Sequence, residues 1–141
     1  MTPFWPIEHT ADLGLLIRAK DLPGLFVEAA KGLTLLLVAE FHVVPTGWRQ
    51  VSVEAPDDDI LLADFLSEIL VLATVDGLAT VKVRDLQISG PAGERRLTAD
   101  IGHMRVKDLD GLKQEIKAVT YHGLAIKEIE GGFEATVIFD V

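Results

Sequence analysis

The segment Ile60–Val75, ILLADFLSEILVLATV, constrains the fold most strongly because its apolar residues recur with helical spacing. Pro56 and the consecutive acids Asp57–Asp59 precede it, and acidic side chains are favoured at the positive, N-terminal end of a helix. Asp76 and Gly77 then supply a turn signal. The segment therefore predicts an amphipathic helix, whose broad apolar face is formed by Leu62, Phe65, Leu66, Ile69, Leu70 and Ala73.

A second amphipathic helix is predicted over residues 21–39, DLPGLFVEAAKGLTLLLVA. Asp21 is a plausible N-cap, since a side-chain oxygen there can accept a hydrogen bond from a free helix amide. Gly32 and the β-branched Thr34 weaken the helix slightly. Its apolar residues at helical spacing are Leu25, Phe26, Ala29, Leu33, Leu36 and Leu37.

The other segments alternate between strand patterns and turn residues. The final strand is the most informative, because Phe133, Ala135, Val137 and Phe139 share one face while Glu134, Thr136, Ile138 and Asp140 share the other. We expect its apolar face to pack under a helix, which predicts an α+β fold: a mainly antiparallel β-sheet with two amphipathic helices packed on it. Strands are predicted at 13–19 and 48–55, in a hairpin of 79–90 with 95–104, from 115, over 124–129, and from 133 to 141.

Composition narrows the classes of function. At 141 residues we expect one domain, residues 1–141. A formal net charge of −9 makes direct, strong binding to nucleic acid unlikely as a function, because phosphate backbones are bound mainly through cations. The chain has no cysteine, no run that could span a membrane and no signal-peptide pattern, so we expect a cytoplasmic protein without membrane association.

Asp12 is the first candidate site residue. It lies in EHTADLGL, residues 8–15, where polar side chains immediately precede a predicted strand. Threonine and aspartate commonly bind nearby backbone amides in turns, and local chemistry favours that interpretation. The alternative is that Asp12 projects from the start of the strand into a binding site.

The chain end is the second candidate. Asp140 lies beside the α-carboxylate of Val141, and we expect two neighbouring negative charges to recruit a cation. Together with Asp12 they would offer three oxygen groups, a donor set that suits Ca²⁺, Mg²⁺ or Mn²⁺ better than Zn²⁺. This requires the strands at 13–19 and 133–141 to be neighbours. The alternative is a solvated chain end.

A third candidate is EIKAVTYHGL, residues 115–124, which brings polar groups into an aliphatic strand pair. We interpret His9, Lys117 and His122 as candidate contacts for a partner protein or a phosphate group. Exposed strand alternation explains Lys117 equally well, and His122 before a glycine can be a turn residue. Asp64 and Glu68 are expected at the solvent edge of their helix.

Taken together, EHTADLGL, LLADFLSEIL, EIKAVTYHGLAI and the terminal VIFDV resemble the archease family in order and spacing across essentially the whole chain. The resemblance implies a non-catalytic protein cofactor of the RNA-splicing ligase, which joins 3′-phosphate or 2′,3′-cyclic phosphate ends to 5′-hydroxyl ends. Archeases promote guanylylation of that ligase and so allow multiple turnovers in tRNA splicing or RNA repair. GTP would then be met only through the ligase.

The resemblance also implies a divalent ion, with calcium the first candidate, bound at the positions of Asp12, Asp140 and Val141. Two other classes of function remain open on the residues alone. One is a metal-dependent phosphohydrolase that uses Asp12, Asp140 and His122. The other is a chaperone-like module that binds proteins through an apolar patch.

Overall fold

The computed structural model describes residues 3–8, 12–38 and 44–141, which form two antiparallel sheets and two long helices. The first sheet has the strand order β1-β2-β8-β6, with β7 also paired to β8, and the second has the order β3-β5-β4. The elements are β1 (Phe4–Glu8), β2 (Asp12–Ala19), α1 (Leu22–Val38), β3 (Gly47–Ala55), α2 (Asp58–Thr74), β4 (Leu78–Ser89), β5 (Arg95–Arg105), a 3₁₀ turn (Val106–Leu109), β6 (Ala118–Val119), β7 (Lys127–Ile129) and β8 (Gly132–Asp140).

Both helices begin where the sequence predicts, and each has an aspartate at its start. Asp21 Oδ1 accepts a hydrogen bond from the Gly24 amide at 2.7 Å. Asp57 Oδ1 accepts one from the Ile60 amide at 2.8 Å. These bonds satisfy amides that have no partner within the helix, which explains why α1 and α2 start at these positions.

The helices lie against both sheets and share one core. α1 contacts β2 and β8 of the first sheet and β4 of the second, while α2 contacts β3, β4 and β5 as well as β6. The rings of Phe26 in α1 and Phe65 in α2 are both fully buried, with centroids 6.1 Å apart. Burial of this continuous apolar cluster is the main force that holds the layers together. The predicted α+β fold class is confirmed.

Gly32 has a packing role that the sequence pattern does not reveal. A Cβ at this position would lie 2.6 Å from Leu15 Cδ2 and 3.2 Å from Phe4 Cγ. Real side chains do not approach so closely, so glycine lets α1 lie against β1 and β2 at short range. The small loss of helix propensity at Gly32 is offset by this close packing.

The final strand has the two faces predicted from its alternation. Ala135, Val137 and Phe139 are buried on the side that faces the helices, as expected. On the opposite face Ile138 is also buried, at 8% exposed, so that face is not fully open to solvent. β8 pairs with β2 along its length, so the strands at 13–19 and 133–141 are neighbours.

Four features of the structure differ from the sequence expectations. The strands form two sheets in place of the single sheet that was predicted. β1 was not predicted, because Pro6 interrupts its strand pattern. Proline is tolerated there because β1 is an edge strand. The strand predicted over 124–129 forms only at Lys127–Ile129, because the amide of Ile126 donates to Asp59 Oδ1 of α2 at 2.9 Å. The strand predicted from 115 is reduced to the two residues of β6.

Within the described ranges, no helix is both long and apolar enough to cross a membrane.

Candidate metal centre

Asp12 and Asp140 lie directly opposite each other at one end of the first sheet. Asp12 is the first residue of β2, Asp140 is the last residue of β8, and their Cα atoms are partners in the antiparallel ladder. Side chains of directly opposed residues project from the same face, with Cβ atoms about 4.5–5.5 Å apart. A shared site requires the strands at 13–19 and 133–141 to be neighbours, and they are.

The two carboxylates project from the face of the sheet that points away from the helices. Their chain neighbours Leu13 and Phe139 are also partners in the ladder, and these pack towards the core. Because successive side chains in a strand alternate, Asp12 and Asp140 must take the other face. Asp140 is exposed and Asp12 is partly exposed, so solvent and solutes reach the pair.

Among the described residues, no side chain compensates the negative charge of this pair. Over residues 3–8, 12–38 and 44–141, neither carboxylate forms an ion pair or accepts a hydrogen bond from another residue. Like charges directly opposite each other destabilise a strand pair. A cation between them would turn this repulsion into attraction, and carboxylate oxygens are the donors that hard divalent ions prefer.

The donor set fits a divalent ion only if further oxygens contribute. In the described part of the chain, no three His, Asp or Glu side chains come together in a group that could hold a metal. Asp12 and Asp140 thus supply two side-chain ligands, and the adjoining Val141, which is 39% exposed, is available to supply a third oxygen. Ca²⁺ binds about 6–8 oxygens and accepts water among them, so such an open site suits it.

The backbone of Asp140 is held from both sides. β2 pairs with it on one side, and on the other the residue is the ladder partner of Ala118 in β6. The Lys117 amide donates to the Asp140 carbonyl oxygen at 2.7 Å. Lys117, predicted as a phosphate or partner contact, therefore reaches the site through its backbone, while its side chain is exposed.

Of the two histidines singled out from the sequence, His122 is the one that the described residues include. His122 lies exposed in a turn, where its amide donates to Thr120 Oγ1 at 3.3 Å and Gly123 has a φ of 63°. It does not join Asp12 and Asp140 in a metal-binding group among the described residues. His9 lies outside the described residues.

A contact between Tyr121 and Asp64 was missed by sequence reasoning. Tyr121 Oη donates to Asp64 Oδ1 at 2.5 Å, and this hydrogen bond, with some burial and the negative charge of Asp64, raises the pKa of Tyr121 above its usual 10.0. Asp64 was expected only at the solvent edge of α2. The two residues are 57 positions apart, and no local pattern indicates such a pair.

Comparison with known proteins assigns the family. The model of the Archease protein family (MTH1598/TM1083) matches residues 4–141 of the chain. The chain belongs to the archease family.

Similar proteins cover nearly the whole archease chain. Protein archease of Methanosarcina acetivorans is 32% identical over 136 residues, covering 96% of this chain and 93% of its own. Protein archease of Thermococcus kodakarensis is 35% identical over 127 residues, covering 89% and 88%.

Two solved structures share the fold. The solution structure of Methanobacterium thermoautotrophicum protein 1598 has a TM-score of 0.83 at 26% identity and covers 100% of both chains. The crystal structure of a Thermotoga maritima protein, described as an archease and possible chaperone, has a TM-score of 0.58 at 24% identity, covering 97% of this chain and 96% of that one.

Proposed function

We propose that this protein activates the RNA-splicing ligase that joins 3′-phosphate or 2′,3′-cyclic phosphate ends to 5′-hydroxyl ends. In this role it promotes guanylylation of the ligase and multiple turnover in tRNA splicing or RNA repair, and it catalyses no reaction itself. The observation that carries the proposal is the direct opposition of Asp12 and Asp140, which belong to two of the segments, EHTADLGL and VIFDV, that resemble the family.

The pair would hold a divalent ion, with Ca²⁺ the first candidate and Mg²⁺ or Mn²⁺ compatible with the same oxygens. Asp12 and Asp140 would be its side-chain ligands, and the α-carboxylate of Val141 the third protein ligand. When bound, such an ion supplies positive charge against phosphate oxygens, the interaction on which nucleotidyl and phosphoryl transfer depend. The protein would meet GTP only when GTP is bound to the ligase.

The charge of the protein supports a protein partner with a basic surface. A net charge of −9 opposes approach to RNA but favours approach to the cationic surface with which a ligase binds RNA and nucleotide. We expect the stimulation to weaken as ionic strength rises, since charge-steered association is screened by salt.

A guanylylation time course tests this function. Cognate ligase, GTP and metal are incubated with wild-type protein, Asp12→Asn or Asp140→Asn, and the covalent ligase–GMP product is followed. We expect both variants to lose stimulation by about tenfold or more, because loss of a residue that only orients a metal ligand already costs about 10–100-fold. Glu134→Gln is the matched control, because it neutralises a carboxylate on the same strand and face, and it should stimulate fully.

Full stimulation by both aspartate variants would contradict the proposal. Two further assays distinguish the other classes of function. Phosphatase activity of the protein without ligase would favour an enzyme, and suppression of aggregation of unrelated proteins by Asp12→Asn would favour a chaperone-like module.

A further inference from the structure

Two segments that the proposed function leaves unexplained, LLADFLSEIL in α2 and TYHGLAI before β7, are bonded to each other. Tyr121 Oη donates to Asp64 Oδ1 at 2.5 Å, and the Ile126 amide donates to Asp59 Oδ1 at 2.9 Å. Both acceptors are side chains of α2. Residues 121–126, which we call the strap, are therefore fastened to the helix at both ends.

The strap continues directly from β6, the strand beside the end of β8. β6 has only two residues, and a strand this short is not stable by its own pairing. Bonds on either side of it extend the contact: the Lys117 amide donates to the Asp140 carbonyl at 2.7 Å, and the Thr120 amide donates to the Ile138 carbonyl at 2.9 Å. Tyr121 follows Thr120 immediately, so the bond to Asp64 is the next anchor along the chain.

We propose that Tyr121 and Asp64 are positioning residues, whose hydrogen bond holds β6 against β8 and keeps Asp140 opposite Asp12 for cation binding. The inference rests on the proposed cation site and assigns to it two residues that do not touch the ion. Its physical reason is that the carboxylates repel each other at a strand end, where pairing opens most easily. A clamp on the outer side of β8 opposes this opening before the cation arrives.

The ionisation of Tyr121 agrees with this role. The hydrogen bond to Asp64 is the largest cause of its raised pKa, so at neutral pH the phenol is protonated and can donate to the carboxylate. The bond is therefore present under the conditions in which the cation site would operate.

Calcium titration by calorimetry on the full chain tests the inference. Tyr121→Phe and Asp64→Ala, each of which removes one partner of the hydrogen bond, should each weaken calcium binding by about tenfold, the lower part of the range for residues that orient metal ligands. The double variant should bind no more weakly than either single variant, because both substitutions remove the same bond. Glu54→Gln is the matched control, since it breaks an exposed carboxylate pair with Arg96 (2.9 Å) in the other sheet and should leave affinity unchanged.

Hydrogen exchange supplies a readout that does not require calcium. In calcium-free protein, the amides of Lys117 and Thr120 should exchange faster in Tyr121→Phe and Asp64→Ala than in wild type or Glu54→Gln. If wild type binds calcium and Asp140→Asn does not, the cation site stands. Unchanged exchange and unchanged calcium affinity in the Tyr121 and Asp64 variants would then overturn the positioning role alone. Absence of calcium binding by wild type would instead overturn the proposed site and this role together.

Discussion

Two charged pairs lie on the same face of the same two strands. One pairs opposite charges and the other pairs like charges. At one end of the β2–β8 ladder Arg18 is opposite Glu134, with Nε and Oε1 2.6 Å apart, and the guanidinium lies over the Trp5 ring at 5.1 Å from its centroid. At the other end Asp12 is opposite Asp140. Opposite charges stabilise a strand pair by about 0.2–1 kcal/mol, and like charges directly opposite destabilise it.

The difference shows that register is set by the core and not by the charges. Leu15 opposite Val137 is buried on the helix-facing side, and a slip of one residue would turn Val137 and its neighbours on that face away from the helices. The ladder therefore holds two aspartates together at its end at a cost to stability. Such a local cost is expected at a functional site and not at a structural one.

Replacement of the like-charged pair Asp12–Asp140 by an oppositely charged pair should have the largest effect on calcium binding. Asp140→Lys would place an ammonium group opposite Asp12, so calcium binding measured by calorimetry should be abolished. Without calcium, the free energy of unfolding from urea denaturation should rise by about 0.5–1 kcal/mol, because repulsion is replaced by attraction. Calcium binding that survives this substitution would show that the ion, if any, binds elsewhere.

The reverse substitution should have a smaller effect and a different readout. Glu134→Lys removes the partner of Arg18 and places a like charge opposite it, so the free energy of unfolding should fall by about 1 kcal/mol. Calcium affinity should not change, since the site is at the other end of the ladder. Glu134→Gln should show about half of this loss of stability. A marked change in calcium affinity in either variant would mean that the two ends are coupled.

Extension of the chain beyond Val141 tests the third proposed ligand. A C-terminal peptide tag converts the α-carboxylate into a neutral amide, so calcium affinity should fall by less than in Asp140→Asn, where a side-chain ligand is lost. The same peptide fused to the N-terminus is the control. Equal affinity of both tagged proteins with wild type would show that Asp140 acts without the terminal carboxylate.

The smallest expected effect is in the titration of Tyr121, which anchors the acidic end of the ladder through β6. Tyr121 is the only tyrosine, so tyrosinate absorbance follows it alone. Its pKa should lie above 10.0, mainly because of the hydrogen bond to Asp64, and Asp64→Asn should shift it back towards 10.0. Since the folded-state pKa is raised, the stabilising effect is complete below pH 10 and is lost as pH rises through the folded-state value. A pKa unaffected by Asp64→Asn would contradict the bond.

Sequence reasoning succeeded where the cause is local. The helix cap at Asp21 and the alternation of Val137 and Phe139 depend on neighbours within a few residues, and both were predicted. The pairing of Asp12 with Asp140 was predicted only on the condition that two strands are adjacent, which local pattern does not decide. The bond between Asp64 and Tyr121 was missed, because it depends on how α2 lies against the chain after β6.

The stability of wild type and Asp140→Asn, measured with and without calcium, tests the central claim most directly. Without divalent ions the variant should be at least as stable as wild type, because one of two opposed negative charges is removed. In millimolar calcium wild type should become the more stable protein, since an ion that binds only the folded state stabilises it by mass action. If wild type is the more stable protein in both conditions by the same margin, Asp12 and Asp140 do not form a cation site.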